Sequence, residues 1–355
     1  MSNKSIGVIV GRFQPITLDQ INRLFVPALR DNDAVVVILG SSDTARDDLD
    51  PFYASEREHM ILEALMDAAP EHSDTQIVFR PVRDYWYKKT RFITAIQSAV
   101  TTAIKEVFGE QFNTESCQVN LYGIDREDPA SDYLNNFPQW NSKVEVDSRF
   151  DDTWVMSGVY TDTLEWPSYL APSTYRFIES WLNTEPGKRI SAGHNHINRY
   201  RQKYDPLEKQ AGHALQFMTV DNVVLHKGHI LLVRRRSHPG KGLWALPGGF
   251  LEANETTVQG AKRELREETR LRVKDEWQTG FQHFDHPTRS RRGRTLTFAY
   301  KWEIPAWRDV PQLSPDKGFE REVTKVQWFP LSKVINEMSH LLFEDHLDII
   351  ESLAY

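Results

Sequence analysis

The chain is 355 residues long, 40% hydrophobic and 26% charged, with a formal net charge of −7 and one cysteine, Cys117. That length favours about two domains, and the composition excludes a wholly disordered chain. A single cysteine permits neither an intrachain disulfide nor a multi-cysteine zinc site, and the acidic balance argues against a general nucleic-acid binder.

The first apolar run, 6–10, is too short for a signal-peptide core, and no small-residue cleavage site follows it. No stretch approaches the ~20 apolar residues that span a bilayer. With the lone cysteine, these features lead us to expect a cytoplasmic protein with no membrane and no nucleic-acid partner.

The first half alternates strand-like and helix-like segments. The run 6–10 ends at Gly11, and residues 19–29 carry Ile21, Leu24, Phe25 and Leu29 at helical spacing. AVVVIL at 34–39 reads as a buried strand before Gly40-Ser41-Ser42. Residues 55–68 read as a helix with a Ser55–Glu58 capping box. A strand at 77–82, a helix at 91–108 and a strand at 118–122 before Gly123 follow. Continuous apolar strands between helices imply a parallel sheet covered on both faces. Ligands of such sheets bind at the carboxyl ends of the strands.

At 183–212 the chain turns polar and poor in large apolar residues. We read it as a linker, with room for a surface helix near 197–204 and with His194 and His196 as surface residues. Beyond it, 217–225 and 229–235 read as paired strands around Lys227-Gly228. A helix at 257–269, strands near 295–303 and 323–329, and a last helix near 343–353 complete an α+β pattern. The expected division is therefore 1–185, a linker at 186–212, and 213–355.

Chemistry concentrates first in GGFLEANETTVQGAKRELREETRL, residues 248–271. Glu264, Glu267 and Glu268 stand at i, i+3 and i+4, so they share one helix face. Three like charges repel unless a cation sits among them, and hard divalent cations take oxygen ligands and bridge to phosphates. The Gly248-Gly249 turn lets the backbone approach that cation. Arg263 is placed to pair with Glu255 and hold the loop on the helix.

This pattern resembles the Nudix box, whose family hydrolyses nucleoside diphosphates linked to another moiety. The resemblance implies an α/β/α domain with a mixed sheet. It also implies Mg²⁺ or Mn²⁺ held by Glu264, Glu267, Glu268 and Gly249. The metal would polarise the pyrophosphate and activate a water. Glu268, Glu320 and Glu322 are the candidates for the general base. The glycine usual after the box is Arg270 here, at the helix exit. In 284–300, Arg289, Arg291, Arg292 and Arg294 cluster, and arginine forks suit phosphate oxygens. That segment is similar to Nudix domains that cleave ADP-ribose to AMP and ribose 5-phosphate. Arg289, Arg292, Arg294 and one or two of Arg234–Arg236, with Arg234 foremost, are thus the candidate substrate contacts.

At the N-terminus, Gly11-Arg12-Phe13-Gln14-Pro15 resembles the opening of nicotinamide mononucleotide (NMN) adenylyltransferases. This implies a Rossmann-like nucleotidyltransferase domain in which Gly11, Arg12 and Phe13 meet the nucleotide. The family's His-x-Gly-His motif is replaced by Thr17-Leu18-Asp19-Gln20. The imidazoles that stabilise the leaving pyrophosphate are thereby missing. A second family motif aligns with 150–156, where Thr153 remains and the arginine is Met156; a competing alignment places it at Arg176. Each lost group is worth about 3 kcal/mol by analogy with single oxyanion-hole donors.

Together the halves are similar to bifunctional NMN adenylyltransferase/Nudix hydrolases. The leading expectation is a metal-dependent pyrophosphatase for ADP-ribose or a related NAD-derived dinucleotide, with an inactive adenylyltransferase-like half. That half retains nucleotide binding, a scaffold or a dimer interface as roles, and a homo-oligomer is compatible with the sequence. A fully bifunctional enzyme and a non-catalytic sensor of such ligands are the alternatives.

Overall fold

The computed structural model describes residues 4–72, 74–123, 129–144, 153–163, 165, 168–309, 313–314 and 322–354, without the side chains of 129–132 and 153. It divides into two compact units, Met1–Ser191 and Ala192–Tyr355. Among the described residues no helix is long and apolar enough to cross a membrane.

In the first unit, β1 (Ser5–Gly11), β2 (Ala34–Leu39), β3 (Gln76–Pro81), β4 (Gln118–Gly123) and β5 (Asn141–Val144) form a parallel sheet in the order β3-β2-β1-β4-β5. All six residues of β2 are buried. Alternation explains why. Ile9, Val35 and Val37 point into one apolar layer, whereas Val8, Val36 and Ile38 point into the other. The first layer receives Ile61 and Ala64 of α3 (Ala54–Ala68); the second receives Ile96, Val100 and Ala103 of α4 (Lys89–Phe108). The sheet is thus the doubly covered parallel sheet expected from its apolar runs. Strand order reverses between β1 and β4, the switch point where such folds bind ligands.

Before α3, the helix α1 (Leu18–Gln20) passes through a π-helical turn, Ile21–Phe25, into α2 (Val26–Asp31). After the sheet come α5 (Thr153–Tyr160) and α6 (Pro172–Leu182). The start of α3 differs from expectation. Tyr53 is its N-cap, and Glu56 rather than Glu58 reaches back, accepting the Tyr53 amide at 2.7 Å.

The polar stretch read as a linker is helical over nearly its whole length: α7 runs Glu185–Ala211, and the division between units falls inside it. Its sequence lacks a wide apolar stripe, so periodicity gave only a weak signal. His194, read as a surface residue, is buried and shares a 2.8 Å contact with Asn198.

The second unit holds β6 (Phe217–His226), β7 (His229–Arg235), β8 (Trp244–Ala245), β9 (Gly248–Phe250), α8 (Thr257–Thr269), β10 (Gln278–Phe284), β11 (Thr295–Glu303), β12 (Val323–Pro330), α9 (Leu331–Glu337) and α10 (His346–Leu353). The sheet order is β10-β11-β6-β7-β12, with β9 on β6 and β8 on β7. It is mixed, because β11 and β6 run parallel and the other pairs antiparallel. Lys227 and Gly228 both take positive φ, 49° and 73°, as a two-residue hairpin turn requires. The core beneath α8 joins Ala261 and Leu265 to Val220, Val224 and Trp302.

Candidate active site

The carboxylates sit where a short strand meets a capped helix. Thr256 and Gln259 cap α8 reciprocally, the Gln259 carboxamide accepting the Thr256 amide at 2.8 Å. Leu265 and Ala261 are fully buried on one side of α8, which turns Glu264, Glu267 and Glu268 toward β9. Asn222 fastens strand to helix. Its amide donates to the Pro247 and Ala261 carbonyls, both at 3.0 Å, and its oxygen accepts from the Trp302 indole at 2.8 Å.

Arg263 organises the group. Two parallel bonds, 2.7 and 3.0 Å, bind it to Glu255. Nη1 donates to Glu264 at 2.9 Å and to Glu267 at 3.0 Å, and Nη2 donates to the Phe250 carbonyl at 3.0 Å. Glu268 accepts the Gly248 amide at 3.0 Å. Burial pushes the Glu264 carboxyl up to about 7, and burial, with Glu264 beside it, pushes Glu268 well above the usual carboxylate range.

Among the described residues no three His, Cys, Asp or Glu side chains are already drawn into a ligating cluster, since Arg263 stands between Glu264 and Glu267. The donor chemistry still fits a hard divalent cation. Glu264 and Glu268 are buried and pushed above the usual carboxylate range, Glu267 adjoins them, and all offer oxygen. The close approach fits as well: a Cβ on Gly249 would lie 2.5 Å from a Glu264 carboxylate oxygen. Gly249→Ala should therefore displace that carboxylate and lower kcat at least tenfold. The change in melting temperature should be small, because the obstructing atom ends a flexible side chain. Steady-state kinetics with a thermal melt checks both.

The helix exit survives without its usual glycine. Arg270 itself adopts the left-handed conformation, φ 61°, and its amide closes on the Arg266 carbonyl at 2.7 Å. An L-residue there costs roughly 1–2 kcal/mol.

Of the expected general bases, Glu320 lies outside the described residues. Glu322 is exposed in the turn before β12, close enough for its charge to help raise Glu264 and Glu268.

The four expected substrate arginines fare differently. Arg289 does not face solvent: it is 2% exposed and makes two 2.8 Å bonds to Asp345. Arg292 lies 3.9 Å from Glu344 and covers the Phe250 ring at 5.2 Å. Arg294 donates to the Asp285 carbonyl. Arg234 is exposed on β7 and donates to the Gly242 carbonyl at 3.0 Å. Its neighbour Arg235 points the other way, stacks on Phe343 at 3.9 Å, and is charge-coupled to Arg292, Glu344, Glu268 and Asp221. Strand alternation within Arg234–Arg236 is the signal for it.

The sequence places 343–346 at the start of the last helix. The structure makes it a polar clasp. Glu344 (φ 45°) accepts from Ser290 at 3.0 Å, and Asp345 holds Arg289. His346 Nδ1 accepts the Leu246 amide at 2.8 Å, and its other nitrogen lies 3.8 Å from Asp221. Burial lowers the His346 pKa to about 3, so the ring is neutral. Asp221, a carboxylate inside a buried strand run, was the visible clue.

In the first unit the loop expected to meet a nucleotide is occupied by its own contacts. Phe13, expected to meet the nucleotide, is 1% exposed and packs edge-on against Phe25 at 5.5 Å. A Cβ on Gly11 would strike that ring at 2.6 Å. Arg12 remains partly exposed, 3.7 Å from Asp50. Buried Arg57 donates to the Arg12 and Gly40 carbonyls, both at 2.6 Å, and to Ser42 at 2.8 Å. Thr17 and Gln20, at the two histidine positions, bond each other as the cap of α1, at 3.1 and 3.3 Å. Met156, at the arginine position, is a core residue, while 150–152 of that motif lie outside the described residues.

Comparison with known proteins agrees with this architecture. The NUDIX domain profile matches residues 216–353. An ADP-ribose pyrophosphatase of Methanocaldococcus jannaschii is 36% identical over 87 residues, 24% of this chain, which therefore spans 50% of that relative's length. A MutT-like protein of Streptomyces ambofaciens is 32% identical over 132 residues, 36% of this chain and 73% of that protein. A crystal structure of a bifunctional NMN adenylyltransferase/ADP ribose pyrophosphatase from Francisella tularensis superposes with a TM-score of 0.84 at 28% identity, covering 99% of this chain and 98% of that one. Its complex with AMP and a manganese ion gives 0.81 at the same identity, with the same shares covered. The chain belongs to the Nudix family, and joins its NUDIX domain to an NMN adenylyltransferase-like fold as the bifunctional members do.

Proposed function

We propose that the second unit is a divalent-metal-dependent pyrophosphatase that cleaves ADP-ribose, or a related NAD-derived dinucleotide, to AMP and a phosphorylated product. The observation that carries this is the buried carboxylate group of α8 pressed against Gly249. A pure binding module has no need of three acids gathered at such desolvation cost. The named activity of the M. jannaschii relative and the AMP and manganese of the F. tularensis complex support the same substrate and metal class. Glu264, Glu267, Glu268 and the Gly249 carbonyl would hold Mg²⁺ or Mn²⁺. When bound, the metal supplies Lewis-acid polarisation of the pyrophosphate and lowers the pKa of a water. Arg263 keeps Glu264 and Glu267 in place, and Glu268 or Glu322 takes the proton of the attacking water.

We propose further that the first unit does not transfer adenylyl groups. The F. tularensis relative is named for both activities, which favours a bifunctional reading. Against it stand Thr17 and Gln20, bonded to each other where imidazoles are required, and the core methionine at 156.

One assay tests both proposals. The chain is incubated with Mg²⁺ and ADP-ribose, NAD, NADH, FAD or sugar nucleotides, and AMP is measured; NMN with ATP is assayed for NAD. AMP is expected from ADP-ribose or a close relative, lost with a chelator and restored by Mg²⁺ or Mn²⁺, with no NAD formed. No AMP from any substrate sinks the first proposal, and rapid NAD synthesis sinks the second.

A further inference from the structure

A second recess in the same unit is left unused by the hydrolytic chemistry. It measures 170 Å³ and is lined by Tyr204 and Phe217, by Arg201 and Arg292, and by Asp205 and Glu208. Tyr204 meets Phe217 at 5.2 Å and Tyr200 at 4.7 Å. Phe217 meets Phe250 at 6.0 Å, and Phe250 is 40% exposed under the Arg292 guanidinium. A packed core would bury these rings; here they form a wall with charges along its rim. The Phe217 amide donates to the Arg294 carbonyl at 2.8 Å, which pins the arginine loop to the start of β6.

Three properties describe the occupant. Half-buried π-faces suit a flat ring, which stacks on aromatics whatever its substituents. The rim offers donors from arginine and acceptors from carboxylates, so it suits a group with both. Free phosphate is anionic, has no face to stack, and is repelled by Asp205 and Glu208. Position is the third. Phe217 precedes Val220, the partner of Gly249, by three residues of β6, a separation of about 10 Å at the rise of a strand. Phe250 stands between them, opposite Thr219.

We propose that this recess binds the heterocyclic base of the nucleoside diphosphate substrate, a purine bearing an exocyclic amino group. The base stacks on Tyr204 and Phe217. Asp205 accepts from the amino group, and Arg201 donates to a ring nitrogen. Glu208, held by the Leu215 amide at 2.9 Å, supports that edge. Arg292, over Phe250, lies on the way from base to pyrophosphate. This assignment rests on the hydrolytic reading above for the substrate it names.

The test pairs kinetics on ADP-ribose with equilibrium binding of AMP and ribose 5-phosphate to the full chain. Tyr204→Ala should raise KM and weaken AMP binding at least tenfold, within the range found for a lost base stack. The effect on kcat should be far smaller, and ribose 5-phosphate binding should not change. Tyr204→Phe should recover most of the AMP affinity. Asp205→Asn, at an exposed position that tolerates substitution, should narrow the preference for AMP over IMP. Unaltered KM and AMP affinity in Tyr204→Ala would overturn the assignment, as would equal wild-type affinity for AMP and ribose 5-phosphate. AMP binding that depends on Tyr204, without AMP release from ADP-ribose, would support the recess and refute the hydrolytic reading instead.

Discussion

Glu267→Gln is expected to reduce AMP release by at least ~10²–10³-fold, the scale set by removing one charge-stabilising group from a transition state. The fold should be unaffected. Glu267 accepts one 3.0 Å bond from Arg263 and a longer one, 3.4 Å, from exposed Arg266, and Arg263 keeps two bonds to Glu255 and one each to Glu264 and the Phe250 carbonyl. The substitution preserves shape and removes one negative charge from the face proposed to hold the metal. The loss should therefore appear in kcat, with a melting temperature close to wild type and a raised metal requirement. Arg263→Ala makes the contrast. It strips the countercharge from buried Glu264, so stability and activity should fall together. If Glu267→Gln retained wild-type turnover with Mg²⁺, the metal would have to be held by other groups.

Local chemistry explains what the sequence disclosed. The six apolar residues of 34–39 admit only a buried segment, and their length fits a strand. The box 248–271 was legible because its spacing encodes one helix face and one turn, both set by near neighbours. Elements whose stabilising partners lie far along the chain were not legible. The polar helix α7 hides its few buried positions, such as Ile190 and Ile197, among charged residues. The cluster of four arginines in 289–294 could not reveal which member turns inward, because that choice is made by Asp345, 56 residues away. Phe13 looked like a ligand contact by motif, yet the missing Cβ of Gly11 serves to admit its ring to the core. Motif resemblance located the loops. Burial decided which side chains in them are free to act.

Asp345→Ala should be the most destabilising of the substitutions considered, at about 3–5 kcal/mol, because it leaves a buried guanidinium without its partner. Arg289 is 2% exposed and the Asp345 side chain is fully buried, so water cannot replace the two lost bonds. Asp345→Asn keeps an acceptor and should cost less, about 1–3 kcal/mol, the penalty of a charge-assisted bond made neutral. Replacing both partners, with Arg289→Met and Asp345→Leu, should recover much of the loss, since the desolvation penalty of the pair disappears with the pair. A double-mutant cycle in denaturant, followed on the transition of the second unit, measures this coupling. Simple additivity would show that the pair does not act as a unit. Function should respond differently from stability. Asp345 and Glu344 together set the loop that carries Ser290 and Arg292, so the double variant should fold yet show a raised KM. A recovered melting temperature with unrecovered KM would separate the clasp's part in holding the fold from its part in aiming the arginine loop.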